Sequence, residues 1–275
     1  MHHTDGHHDL EETMGTLLAN GRRLSYSDTG GDGPAIVLAH GYFLDGTMFQ
    51  GQAAGLAPDH RVITWDARGH GGTPDDGVPF TYWDSARDLL GLLDALDIGS
   101  ATVGGVSQGG FISLRAALLA PERIDRLVLF DTESHACDPG DKVAYQGLFD
   151  ALSANGPVEE IVTGLAAQLI GDHPVAADWV RKWREAPSLP LGTPVACLLE
   201  RDDITGRLGE IRCPALLVRG AQDRSIPAER MRALSEGLPG ATDLRTVEGA
   251  AHSPPLTHPK EVNDLLLRFL AGEIA

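Results

Sequence analysis

Cysteine, aromatic residues, positive charge and long apolar runs are all scarce in this chain of 275 residues. Its three cysteines, Cys137, Cys197 and Cys213, are too few and too scattered for a disulfide framework or a metal clasp. They read as buried free thiols of a protein in the reducing cytoplasm. Lys and Arg number 22 against 39 Asp and Glu, a formal net charge of −17. Phosphate backbones are bound by clustered Lys and Arg, so nucleic acid is excluded as a main partner. No apolar run approaches the roughly 20 residues that cross a bilayer, and no membrane partner is expected. Met1 to Asp9 has neither the basic start nor the apolar core of a secretory signal. The pairs His2-His3 and His7-His8 lack the acidic or cysteine partners of a metal site and read as a polar tail. What is present, 42% hydrophobic and 22% charged residues, suits a folded domain and rules out a disordered chain.

The order of apolar segments indicates an α/β architecture with a mostly parallel central sheet flanked by helices. Ala35-Ile36-Val37-Leu38-Ala39 is a continuous apolar run, the mark of a strand buried on both faces. Val62 to Trp65 and Arg126 to Phe130 read the same way, and Arg22 to Ser27 reads as a strand ahead of a Gly-rich turn. Trp83 to Leu96 has helical spacing, and Ala101 to Gly105 runs as a short strand into the helical stretch Gly109 to Leu119. The alternation resumes with strands at Ala215 to Val218 and Asp243 to Val247, and helices at Pro227 to Leu238 and Pro259 to Leu270. Residues 133–210 break the rhythm. They hold helix-like stretches around Lys142 to Leu152, Val158 to Leu169 and Ala176 to Arg184, with no convincing strand. The expected organisation is a core made of residues 1–132 and 211–275, interrupted by a helical cap at 133–210.

Gly105-Val106-Ser107-Gln108-Gly109 fits the G-x-S-x-G turn, which thrusts a serine hydroxyl above a sheet between a strand and a helix. Small residues two before and two after the serine remove the Cβ clashes that so sharp a turn creates. A serine hydroxyl is a poor nucleophile at neutral pH and needs a base, and the base needs an orienting acid. His252 follows the last expected strand and can swing over the sheet toward Ser107; His258, at the entry to the last helix, is the runner-up. Asp223 follows the strand at Ala215 to Val218 and is the preferred acid, with Asp131 and Glu133 as rivals at the end of the preceding strand. Acyl transfer also requires donors for the developing oxyanion. The backbone N–H of Gln108, next after the serine, is one. The N–H of Tyr42, after His40-Gly41, is the other, and His40 itself reads as a structural side chain that holds this loop.

Taken together, His40-Gly41-Tyr42, Asp66-Ala67-Arg68-Gly69-His70-Gly71, Gly105 to Gly110, Gly220 to Asp223 and Gly249 to His252 resemble the α/β-hydrolase fold family. The likeness is to its small, soluble, capped esterase and lactonase branch, and it extends from about Arg22 to the C-terminus. The resemblance implies a triad of Ser107, Asp223 and His252, and a structural role for the loop Asp66 to Gly71 rather than a His-Asp metal site. It also implies that residues 133–210 cap the site. Position 107 is Ser, whereas epoxide hydrolases and haloalkane dehalogenases of this fold carry Asp as nucleophile. Cofactor-free haloperoxidases usually show Phe before the serine and Met after it, where this chain has Val106 and Gln108. The expected activity is hydrolysis of a small, largely apolar carboxylic ester or lactone through an acyl-enzyme, with no metal or organic cofactor. Carbon–carbon bond hydrolysis of ring-cleavage products, perhydrolysis, and ligand sensing without catalysis stand as alternatives. Trp179, Trp183, Leu148, Phe149, Ile161 and Leu165 suggest an apolar roof over the pocket, though such residues at helical spacing also pack on a core. Oligomeric state leaves no signal in the sequence.

Overall fold

A computed structural model describes residues 13–274, and the two N-terminal histidine pairs lie outside that range. Eight strands form one sheet: β1 (Thr13–Ala19), β2 (Arg22–Asp28), β3 (Ala35–Ala39), β4 (Arg61–Trp65), β5 (Ala101–Val106), β6 (Ile124–Phe130), β7 (Ala215–Gly220) and β8 (Arg245–Val247). Their order across the sheet is β1-β2-β4-β3-β5-β6-β7-β8. β1 and β2 pair antiparallel, β2 joins β4 antiparallel, and every later pairing is parallel. The mostly parallel α/β sheet read from the sequence is the observed one.

Among the described residues, ten α-helices accompany the strands. α1 (Gln50–Leu56), α2 (Tyr82–Ala95) and α3 (Gln108–Leu119) fall in the first half of the sheet. Between β6 and β7 come α4 (Pro139–Asn155), α5 (Glu159–Leu169), α6 (Val175–Glu185) and α7 (Thr193–Leu199), with no strand among them. α8 (Ala228–Gly237), α9 (Pro254–Thr257) and α10 (Pro259–Leu270) follow β7 and β8. The inner strands are apolar because both faces are covered: Ile36 to Leu38, Val103, Leu127 to Phe130 and Leu216 to Val218 are all fully buried. The inserted helices share this core. Phe149, Val162, Trp179 and Trp183 belong to the same continuous hydrophobic cluster as the sheet.

Four elements escaped the sequence reading: β1, α1 and the short helices α7 and α9. β1 pairs with β2 around Asn20-Gly21, where φ is +48° and +74°. Asn-Gly is a strong signal for a two-residue hairpin turn, but the strand ahead of it, TMGTLLA, lacks clean alternation. α1 is QGQAAGL, and two glycines argue against a helix on propensity alone. Packing overrides that preference, because Gly51 lies against Pro259 and Gly55 against Asn263 with no room for a Cβ, letting α1 and α10 approach closely. The thiols need one correction: Cys137 and Cys197 are buried and free, whereas Cys213 is free but half-exposed.

Candidate active site

Because β3 to β8 run parallel, the loops leaving their carboxyl ends gather along one edge of the sheet, where open α/β sheets place ligands. Backbone strain collects there as well. Among the described residues, five non-glycine positions have positive φ, and three of them follow β3, β5 and β6: Phe43 at +67°, Ser107 at +54° and Asp131 at +41°.

Ser107 sits between β5 and α3 with φ 54° and ψ −112°. Its N–H donates to the Phe130 carbonyl at 2.9 Å. Its own carbonyl accepts from Gly110 N at 2.9 Å, Phe111 N at 3.1 Å and the Thr132 hydroxyl at 2.7 Å. The strained serine is therefore pinned on both sides. A Cβ at Gly105 or at Gly109 would collide with the Ala39 carbonyl oxygen, so the G-x-S-x-G pattern is a packing requirement against β3.

Asp223 and His252 come from the loops after β7 and β8, which are zipped together by Ala221 N–H to the Val247 carbonyl at 2.9 Å and Gln222 N–H to the Ala250 carbonyl at 2.8 Å. Gly220 permits this, since a Cβ there would strike the Ala251 carbonyl. His252 Nδ1 lies 2.9 Å from Asp223 Oδ1. Asp223 also accepts the Ser225 N–H at 2.8 Å. Burial pushes the Asp223 carboxyl up, but the His252 imidazole, hydrogen bonds from His252 and Asp131, and the Ser225 amide outweigh it and hold the group below the usual carboxylate range.

Asp131, a rival for the acid on sequence, is fully buried beside Asp223 and accepts the Gly220 N–H at 2.9 Å. Burial, the Asp223 charge and the hydrogen bond between the two carboxyls drive Asp131 well above its ordinary range, so this residue keeps the proton of the pair. The sequence treated the two aspartates as alternatives; the fold places both in one cluster, with Asp223 the one bonded to imidazole. Glu133 is instead engaged by Arg201 at 2.6 Å. His258 bonds its neighbour Thr257 at 2.8 Å and stands at the N-terminal boundary of α10 without a side-chain capping bond. Asp131, Asp223 and His252 have ligand-capable atoms within 4.8 Å of one another. A cation bound among them would have to displace the imidazole–carboxylate and Gly220 hydrogen bonds that hold the group together, so the donor set fits a proton network better than a metal site.

Tyr42 lies in the turn after β3, closed by Leu44 N–H to the Gly41 carbonyl at 3.0 Å. Neither its N–H nor that of Gln108, the first residue of α3, donates to another described residue. His40 accepts the Ala67 N–H through Nε2 at 3.0 Å, which puts its proton on Nδ1, 2.8 Å from the Gly41 carbonyl. Both ring nitrogens thus serve the loops, as expected of a structural histidine. His70 lies beside it with Nδ1 2.9 Å from the Arg68 carbonyl. Burial and the neighbouring His40 press its pKa down to about 3, so it stays neutral. In the same loop Asp66 accepts from Gly46 N and Gly72 N, both at 2.8 Å, tying two backbone segments.

Ser107 and His252 line one narrow cavity of about 40 Å³ with Tyr42, Phe43, Phe149 and Leu165. Leu148, Tyr145, Gln168 and Ser225 complete much of its wall, and among the described residues no Lys or Arg side chain lines it. Of the six aromatic and aliphatic residues expected in a roof, Leu148, Phe149 and Leu165 reach this cavity. Trp179 and Trp183 line a separate one of about 770 Å³, and Ile161 faces a third of about 360 Å³ between α4 and α5.

This fold is the alpha/beta hydrolase fold, whose family model matches residues 34–259. The chain belongs to that family and is a hydrolase. It is 33% identical over 253 residues to a Rhizobium rhizogenes protein named "Putative carbamate hydrolase RutD", covering 87% of this chain and 93% of that one. It is 30% identical over 259 residues to the pimeloyl-acyl-carrier-protein methyl ester esterase of Xanthomonas campestris, covering 89% and 98%. Among solved structures, a thermophilic esterase from Thermogutta terrifontis superposes with TM-score 0.85 at 26% identity, covering 94% of this chain and 98% of that one. The enol-lactonase of Burkholderia xenovorans superposes with TM-score 0.83 at 25% identity, covering 94% and 100%.

Proposed function

We propose that the protein hydrolyses carboxylic ester or lactone bonds of a small, largely apolar substrate through a Ser107 acyl-enzyme. The observation that carries this reading is the bonded pair His252–Asp223, whose imidazole lines the same cavity as the strained Ser107 hydroxyl. His252 removes the Ser107 proton as the oxygen attacks the carbonyl carbon, and Asp223 holds the ring with Nδ1 facing it. The N–H groups of Tyr42 and Gln108 receive the oxyanion that forms. Collapse of the tetrahedral adduct expels the leaving group, which takes the proton from His252. Water then enters and gives a proton to His252 as it attacks the acyl carbon; the second adduct collapses by breaking its bond to Ser107 Oγ, which takes the proton back from His252 as the carboxylic acid leaves. No step calls for a metal or an organic cofactor.

Residues 133–210 act as a cap in this reading, because α4, α5 and α7 supply Phe149, Leu165 and Leu198 to the cavity wall. An apolar wall without a Lys or Arg side chain favours neutral acyl groups over those bearing a carboxylate. No helix among the described residues is long and apolar enough to cross a membrane; the cytoplasmic setting in this reading rests on the free thiols of Cys137, Cys197 and Cys213. A second reading, carbamate hydrolysis, is favoured by the relative that is 33% identical. It uses the same attack on a carbonyl with nitrogen on one side.

The test is labelling by a fluorophosphonate probe and turnover of p-nitrophenyl esters, a set of lactones and a simple carbamate, comparing wild type with Ser107→Ala. Labelling and ester or lactone turnover that vanish in the variant are expected. A wild type that neither labels nor turns over any of these substrates sinks the proposal, and turnover confined to the carbamate moves it to the second reading.

A further inference from the structure

Hydrogen bonds from two directions tie the inserted helices to the loop after β3. The Trp183 indole, on α6, donates Nε1–H to the Phe43 carbonyl at 2.7 Å. The Tyr42 hydroxyl donates to the Pro190 carbonyl, between α6 and α7, at 2.5 Å. Lys182 reinforces the join from the same helix, with Nζ 2.9 Å from the Thr47 hydroxyl and 2.5 Å from Asp45. Trp183 is only 3% exposed, so its N–H is a buried donor committed to one main-chain oxygen. The residue that supplies this oxygen is itself strained, with φ +67° at Phe43. A conformation of that kind persists where the surroundings over-determine it.

We infer that Trp183 and the Tyr42–Pro190 hydrogen bond are positioning elements, which hold the Tyr42–Phe43 backbone in the orientation that aims the Tyr42 N–H at the oxyanion. The inference rests on the hydrolase reading above. The N–H of Tyr42 and the carbonyl of Phe43 bound a two-residue stretch of backbone, the second residue of which is the strained Phe43, so a pin on that carbonyl restrains the direction of the N–H. An oxyanion donor acts through alignment with charge that develops only in the transition state, and a small rotation weakens it without touching substrate affinity. The inserted helices therefore help to complete the catalytic site as well as to wall it. Withdrawal of α6 from the core breaks the indole and lysine bonds together, so the donor is correctly aimed only while the helices are docked.

Trp183→Phe in the full-length protein keeps a ring in the α6 packing and deletes the N–H. Its kcat on p-nitrophenyl acetate is expected to fall about tenfold, less than the 10²–10³ lost when an oxyanion donor is removed outright, with KM within about twofold. Affinity for a trifluoromethyl ketone, which adds to Ser107 as an oxyanion mimic, falls by the same factor as kcat/KM. Trp179→Phe on the same helix, whose indole makes no hydrogen bond to the loop, leaves kcat unchanged. Tyr42→Phe lowers kcat in the same direction as Trp183→Phe and decides the matter should the latter fail to fold. If the wild type hydrolyses esters while both folded pin variants, or the only one that folds, keep wild-type kcat or change KM alone, the inference is overturned. If the wild type neither labels nor hydrolyses esters, it is the hydrolase reading that falls.

Discussion

His252 Nδ1 and Asp223 Oδ1 meet at 2.9 Å across 29 residues of sequence, with side chains only 3% and 0% exposed. Water does not screen a pair so deeply buried, and the bond fixes both the tautomer and the direction of the imidazole. Replacing Asp223 with Asn keeps the shape but favours the wrong tautomer. The expected result is a fall in kcat on the order of 10⁴ with little change in melting temperature, measured by ester hydrolysis and thermal unfolding. A loss below about tenfold contradicts the role given to Asp223.

Asp131 stands behind that pair as a buried carboxyl that keeps its proton because burial and the Asp223 charge disfavour ionisation. In the unfolded chain it ionises near the ordinary value of about 3.9. Below that pH both states hold the proton and the group is neutral in its effect. As pH rises above it, folding must retain a proton that the unfolded chain releases, and stability drops. Asp131→Asn removes this penalty while still accepting from Gly220 and donating to Asp223. The variant should melt above wild type at pH 7 and converge with it near pH 4. A difference that is the same at both pH values contradicts the protonation assigned to Asp131.

Gly109 has the Ala39 carbonyl where a Cβ would stand, so Gly109→Ala forces β3 and α3 apart. The expected loss is about 3 kcal/mol or more, well beyond an ordinary surface substitution. Thermal denaturation checks it. By contrast, Gly140→Ala, with open space at that position of α4, should be neutral or slightly stabilising.

Leu148 belongs both to the wall of the Ser107 cavity and to the larger space between α4 and α5. Leu148→Ala opens one into the other. The ratio of kcat/KM for p-nitrophenyl hexanoate over acetate should rise about tenfold, since a methylene or two in an apolar pocket is worth that much discrimination. An unchanged acyl-length profile removes Leu148 from the acyl-binding wall.

Much of the architecture was legible because it depends on local pattern. A strand buried on both faces needs a continuous apolar run where it crosses the core, and β3, β4, β6 and β7 each carry one, at Ala35 to Ala39, Val62-Ile63, Leu127 to Phe130 and Ala215 to Val218. The turn at Ser107 was legible for a related reason: a sharp strand-to-helix turn packed against β3 tolerates only glycine at 105 and 109. β1 and α1 were not read, since one lacks alternation and the other carries glycines that its packing against α10 requires.

The sequence by itself determined the inner strands of the sheet, the helical insertion between β6 and β7 and the residue types able to perform acyl transfer, because periodicity and steric exclusion act over a few residues. Tertiary structure alone decided which of two neighbouring aspartates meets the imidazole, that the other holds a proton behind it, and which tryptophan reaches the loop after β3. Those outcomes depend on burial, on charges brought together from distant loops and on hydrogen bonds between residues far apart in the chain, as from Trp183 to Phe43 across 140 residues. None of them follows from the order of residues until the chain has closed on itself.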